Sequence, residues 1–158
     1  MVGILSLLLL TGCPYGSEVP LDKPFVRIDK RLLGEWVNTA DKEYLYRVSP
    51  GDEYTYTILK IKVNGHGHKD DTLTYNAYLT NLDSILFFTV YAPDTVKKSY
   101  LFYKYEMAPD GRKVALTPVT DNIDEKFDSS KDLRAFFQKY MHLSFFFDKD
   151  AEVYIKKE

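Results

Sequence analysis

Only a few side chains in this sequence could do chemistry on their own. It holds three histidines and one cysteine. His66 and His68 stand two apart in the run Asn64-Gly65-His66-Gly67-His68-Lys69-Asp70-Asp71. Two imidazoles on one side of an extended chain, with carboxylates nearby, are the parts of a zinc or copper site. Gly65 and Gly67 oppose that reading, because they make the run a hairpin loop that must lose conformational entropy before it can hold an ion. Spacing alone also supplies no supporting shell of hydrogen bonds. His66 and His68 are therefore weak metal candidates, and no cofactor is expected. His142 adjoins an apolar stripe, where a partly buried structural role suits it better than catalysis. Asp121, Asp124, Glu125 and Asp128 form an acidic cluster that a helix dipole and solvation explain; the alternating ligands and glycine turn of a calcium loop are absent. The sequence has no nucleophile elbow and no phosphate-cradling glycine loop. Enzymatic activity is not expected.

The cysteine carries a different message. Cys13 ends the sequence Leu10-Thr11-Gly12-Cys13, which closes an apolar run beginning at Val2. One thiol gives neither an intrachain disulfide nor a thiolate zinc cage, and its neighbours Gly12, Pro14 and Gly16 are not core-like. The run is far shorter than the roughly 20 residues of a spanning helix and matches the apolar region of an export signal. Only the amino group of Met1 supplies the positive charge with which such a signal opens. An aliphatic residue, two small residues and a cysteine resemble the lipobox of bacterial lipoproteins. That resemblance implies a signal peptide cleaved after residue 12 and a lipidated Cys13 as the new N-terminus. It also implies a place in the bacterial cell envelope, at the outer membrane or cell surface if the source is Gram-negative. Diacylglycerol on sulfur plus an N-acyl chain such as palmitate would bury methylenes at about 0.8 kcal/mol each, an effectively permanent hold. The lipid bilayer is thus the expected partner of Cys13.

The elements behind these residues can be read from composition and period. The net charge of −2 comes from acidic and basic residues mixed along the chain. No basic tract is available to release counterions from a phosphate backbone, so nucleic acid is excluded as a partner. Aromatics are 15% of the chain and 13 of them are Tyr, a side chain suited to half-buried sheet surfaces. Residues 13–31 hold three prolines and little periodicity and read as a lipidated tether. Residues 32–158 read as one domain.

Within that domain, runs of β-formers alternate with turn residues. The strand runs are 34–38, 43–48, 54–63, 72–80, 85–91, 99–107 and 112–117. In 54–63 the alternation shifts phase, from Tyr54, Tyr56 and Ile58 to Leu59, Ile61 and Val63, which predicts a bulge. In 72–80, Leu73, Tyr75, Ala77 and Leu79 share a face opposite Thr72, Thr74, Asn76, Tyr78 and Thr80, predicting one buried and one wet side. The run 85–91 is apolar on both faces and needs a cover. Leu133, Phe136, Phe137, Tyr140 and Met141 recur at helical spacing after a capping Ser129, and this amphipathic helix is the expected cover. The runs 144–147 and 152–156 are expected to form a closing hairpin. The reading is an all-β fold with one C-terminal amphipathic helix, an antiparallel up-and-down meander closing into a barrel of about eight strands.

Leu33-Gly34-Glu35-Trp36 then meets a known pattern. A Gly-x-Trp in the first strand, a meander and a late helix resemble the lipocalins, or more broadly the calycins, and their bacterial lipoprotein relatives. The resemblance implies that Trp36 closes one barrel end against a late arginine and that Gly34 lets the first strand bend. The last strands contain no arginine, and Lys156 is the nearest cation. If the alternating faces point inward, Tyr44, Tyr46, Leu73, Tyr75, Ala77 and Leu79 line an apolar lumen with phenolic hydroxyls, suited to a small hydrophobic or amphipathic ligand. The alternative is a filled barrel acting as a non-enzymatic envelope module for protein or glycan contacts.

Overall fold

The computed structural model describes residues 14–66 and 71–158. Its elements are β1 (Gly16–Ser17), a 3-10 turn (Lys30–Leu32), β2 (Gly34–Asn38), β3 (Tyr44–Pro50), β4 (Tyr56–Lys62), β5 (Thr72–Leu82), β6 (Ile85–Tyr91), β7 (Tyr100–Met107), β8 (Lys113–Pro118), α1 (Ser130–Tyr140) and β9 (Glu152–Lys156). From β2 to β9 each strand runs antiparallel to the next, and β9 pairs back onto β2 through Trp36 with Lys156, Val37 with Ile155 and Asn38 with Tyr154. The result is the closed, eight-stranded up-and-down barrel that the strand pattern predicts. Closure gives each barrel strand a partner on both sides, which removes the free edges of a long meander.

The alternation of side chains builds two apolar layers. Inside the barrel lie Leu32, Trp36, Val48, Tyr56, Ile58, Ala77, Leu79, Phe88, Tyr105 and Val114. Outside it, Leu82, Phe87 and Phe102 form a second layer with Leu133 and Phe137 of α1. Phe87 and Phe88, adjacent in β6, face opposite layers, as the doubly apolar run 85–91 requires. The Phe137 ring lies 5.4 Å from Phe87 and 5.2 Å from Phe102, so the helix is the cover. It starts where Ser129 Oγ accepts from the Asp132 N–H at 3.2 Å, with Asp132 in the first turn and Lys139 in the last, each suited to its end of the dipole.

Four local expectations are corrected. Residues 14–31 are not a free tether: Tyr15, Ser17 and Leu21 are buried, and β1 pairs with β7 as Gly16 with Leu101 and Ser17 with Tyr100. The apolar side chains among those prolines find cover on the outer layer, so the domain begins near Tyr15 instead of residue 32. No bulge interrupts β4, whose register runs unbroken against both β3 and β5. The outer face of β5 is wet only in part, since Tyr78 and Thr80 are buried there. Ser144 to Phe147 form no strand beyond a bridge from Phe147 to Val119. Phe146 instead packs on Phe137 at 5.0 Å, and β9 pairs with β2 and β8.

Candidate functional site: the barrel lumen

The connections after β2, β4, β6 and β8 leave the barrel at one end, the mouth, and those after β3, β5 and β7 leave at the other, the base. The base is sealed. Leu32, Trp36 and Tyr56 are all buried there. The Trp36 Nε1–H donates to the Leu32 carbonyl at 2.8 Å. Val26 and Ile28 pack on the same cluster, held by the Ile28 N–H on the Glu53 carbonyl at 3.0 Å. Gly34 has a φ of +126°, a region that side-chain-bearing residues rarely enter. A Cβ at Gly34 would also meet Lys156 Cε at 3.1 Å. The Lys156 ammonium sits 5.4 Å from the Trp36 ring centroid and donates to the Arg31 carbonyl at 2.7 Å.

Above this seal the lumen is not filled. A cavity of about 240 Å³ has an apolar floor and walls of Leu32, Trp36, Val48, Ile58, Phe88, Val90, Leu101, Val114 and Leu116. Nearer the mouth its lining turns polar, with Tyr46, Lys60, Tyr75, Tyr103, Glu152 and Tyr154. Unbroken alternation in β4 places Lys60 here, since Tyr56, Ile58 and Lys60 share the inner face. Its ammonium lies 4.2 Å from the Tyr44 ring centroid and 6.0 Å from that of Tyr46, a cation–π arrangement. The Tyr154 hydroxyl donates to Glu152 Oε2 at 3.2 Å, and the Tyr154 ring meets Tyr46 edge-on at 5.2 Å.

Burial sets the protonation states of this collar. It pushes the Tyr46 phenol up to about 12, with the negative charges of Glu152 and Asp41 adding to the effect. The phenols of Tyr103 and Tyr154 are also pushed upward, again chiefly by burial. All three stay protonated at neutral pH and can donate. Burial likewise raises the Glu152 carboxyl above its ordinary value, opposed by the Tyr154 hydrogen bond and by the positive charge of Lys60.

The residues expected to line the lumen divide. Tyr46 and Tyr75 do line it. Ala77 and Leu79 are buried in the inner layer without forming part of the cavity wall. Tyr44 stands beside it as the platform for Lys60. Leu73 is corrected: it is 46% exposed, because β5 begins at Thr72 and leaves Leu73 at the mouth. Lys60, Tyr103, Glu152 and Tyr154 were missed; a strict two-residue period carried through β4 and β7 would have found Lys60 and Tyr103, whereas β9 is too short to show one. Cys13 and His68 lie outside the described residues. His66 and His142 are exposed, and no cluster of three or more metal-ligating side chains occurs among the described residues. No described helix is long and apolar enough to cross a membrane.

The fold and site together define a closed antiparallel barrel with an apolar-floored, polar-collared lumen. Comparisons with family models, curated proteins and solved structures give no match to the chain.

Proposed function

We propose that the protein is a lipid-anchored bacterial envelope protein whose lipocalin-like barrel binds a small hydrophobic or amphipathic ligand. The observation that carries this reading is the cavity of about 240 Å³ inside the barrel, sealed at the base and polar only towards the mouth. An amphiphile would bury its apolar body against the floor at about 25 cal/mol per Å² removed from water, with its head among the phenols. A filled barrel serving only as a wall for protein or glycan contacts would leave no such space. The lipocalin comparison draws further support from the base, where Lys156 covers the Trp36 ring in the position that a family arginine would take. Gly34 there adopts a conformation for a sharp bend. The anchor rests on Leu10 to Cys13.

Two measurements test the reading. Displacement of a fluorescent fatty acid, with native mass spectrometry of the purified protein, is expected to show one ligand per chain; no binding across a panel of lipids overturns the ligand-binding reading. Metabolic labelling with palmitate is expected to mark the wild type and not Cys13→Ala, and an unlabelled wild type overturns the anchor.

A further inference from the structure

Among the described residues, the lumen is lined by one basic and one acidic side chain, Lys60 and Glu152, both half-buried in the same cavity. Neither position is what a simple lipid pocket needs, since an apolar lining with hydroxyls would suffice. The pair also constrains what can bind. A ligand that fills the cavity displaces its water, and a charge losing water is costly unless an opposite charge or hydrogen bonds replace it.

We infer that the cavity selects amphiphiles of no net charge with a dipolar head group, the positive pole held at Glu152 and the negative pole at Lys60; this rests on the ligand-binding reading above. A carboxylate head brings a second negative charge beside Glu152 and leaves one anion uncompensated. An amine head does the same to Lys60. A zwitterionic head pairs both residues at once. The surroundings fit each pole. Tyr46 and Tyr154 lie edge to face at 5.2 Å and offer ring faces for a cation next to the carboxylate. The protonated phenols of Tyr46 and Tyr103 are donors for the negative pole. Glu152 already accepts from Tyr154, and a carboxylate has capacity for further donors. Lys60 rests on the Tyr44 ring, a contact that a stronger anionic partner can replace by a change of side-chain rotamer.

The test uses the full chain carrying Cys13→Ser and four probes with the same twelve-carbon tail: dodecanol, dodecanoate, dodecylamine and the betaine N-dodecyl-N,N-dimethylglycine. Binding is read by calorimetry at neutral pH, below the micelle concentration of each probe. The betaine is expected to bind about tenfold more tightly than either singly charged probe. Lys60→Met is expected to move the preference towards the amine, and Glu152→Gln towards the carboxylate. Dodecanoate or dodecylamine binding the wild type as tightly as the betaine overturns the inference while leaving the ligand-binding reading intact. Failure of all four probes, dodecanol included, overturns that reading and the inference with it. The wild-type comparison stands even if a variant does not fold.

Discussion

Lys60 shows where residue-level reading succeeds and where it stops. Its strand carries apolar residues in both phases, so Leu59 and Ile61 look like core and Lys60 like solvent. The unbroken register against β3 and β5 puts Lys60 inside instead. Local hydrophobicity favours one phase, and the ladder enforces the other. Tyr46 and Tyr75 were legible because their strands alternate cleanly, whereas Glu152 opens a five-residue strand too short to show a period. Two predictions belong at this scale. Because burial raises the folded-state pKa of Glu152, the folded protein prefers the protonated carboxyl. Ionised Glu152 therefore costs stability at neutral pH, and the cost is shed as pH falls through the folded pKa towards the ordinary carboxylate range. Glu152→Gln is expected to raise the urea midpoint at about pH 7, with the difference from wild type closing by about pH 4. The second concerns Thr80 and Thr89, whose hydroxyl oxygens are buried without a hydrogen-bond partner among the described residues. Thr89→Val is expected to stabilise the protein by about 1 kcal/mol in urea unfolding, since it removes a desolvated polar atom and keeps the shape.

At the scale of elements, α1 was readable in full, because its stripe, its cap and the strand needing cover agree. The segment holding β1 was not. Its prolines and charges outweigh Tyr15, Val19 and Leu21 in any local window, and only the finished barrel offers the groove these residues fill. Tyr15 stacks at 6.4 Å on Phe102 and donates through its hydroxyl to the Glu125 carbonyl at 2.9 Å. Arg134 of α1 pairs with Asp22 at 2.5 Å, and the Tyr78 hydroxyl reaches the Asp22 carbonyl at 2.7 Å. Helix and N-terminal segment thus form one layer outside the barrel. Phe137→Ala is expected to cost about 3–5 kcal/mol by leaving a hole in that layer. Ser129→Ala is expected to cost about 1 kcal/mol through the lost cap. Chemical denaturation measures both. Because neither residue lines the lumen, Ser129→Ala should bind ligand as the wild type does.

For the whole molecule, the order of the eight barrel strands could be read from the sequence, although the run 144–147 is not a strand and β1 went unread, and closure followed from the meander. How full the barrel is could not, because aromatic content is compatible with a packed or a hollow interior and only the paired register decides which rings share the space. The ladder that completes the barrel, β2 with β9, is the shortest of its strand pairings, and it joins stretches from near opposite ends of the domain. This has a kinetic consequence. Every other barrel pairing is between strands consecutive in the chain. All of these except β8 with β9, whose connection contains α1, close across short turns or loops at little cost, while the seam requires the intervening chain to be in place first. The barrel behaves as a ring whose clasp fastens last and opens first. Val37→Ala, which trims the cross-strand pair with Ile155, is expected to speed unfolding several-fold and to leave the refolding rate almost unchanged. Stopped-flow chevrons would show it as a shift confined to the unfolding arm; a slowed refolding arm would instead place the seam in the folding nucleus.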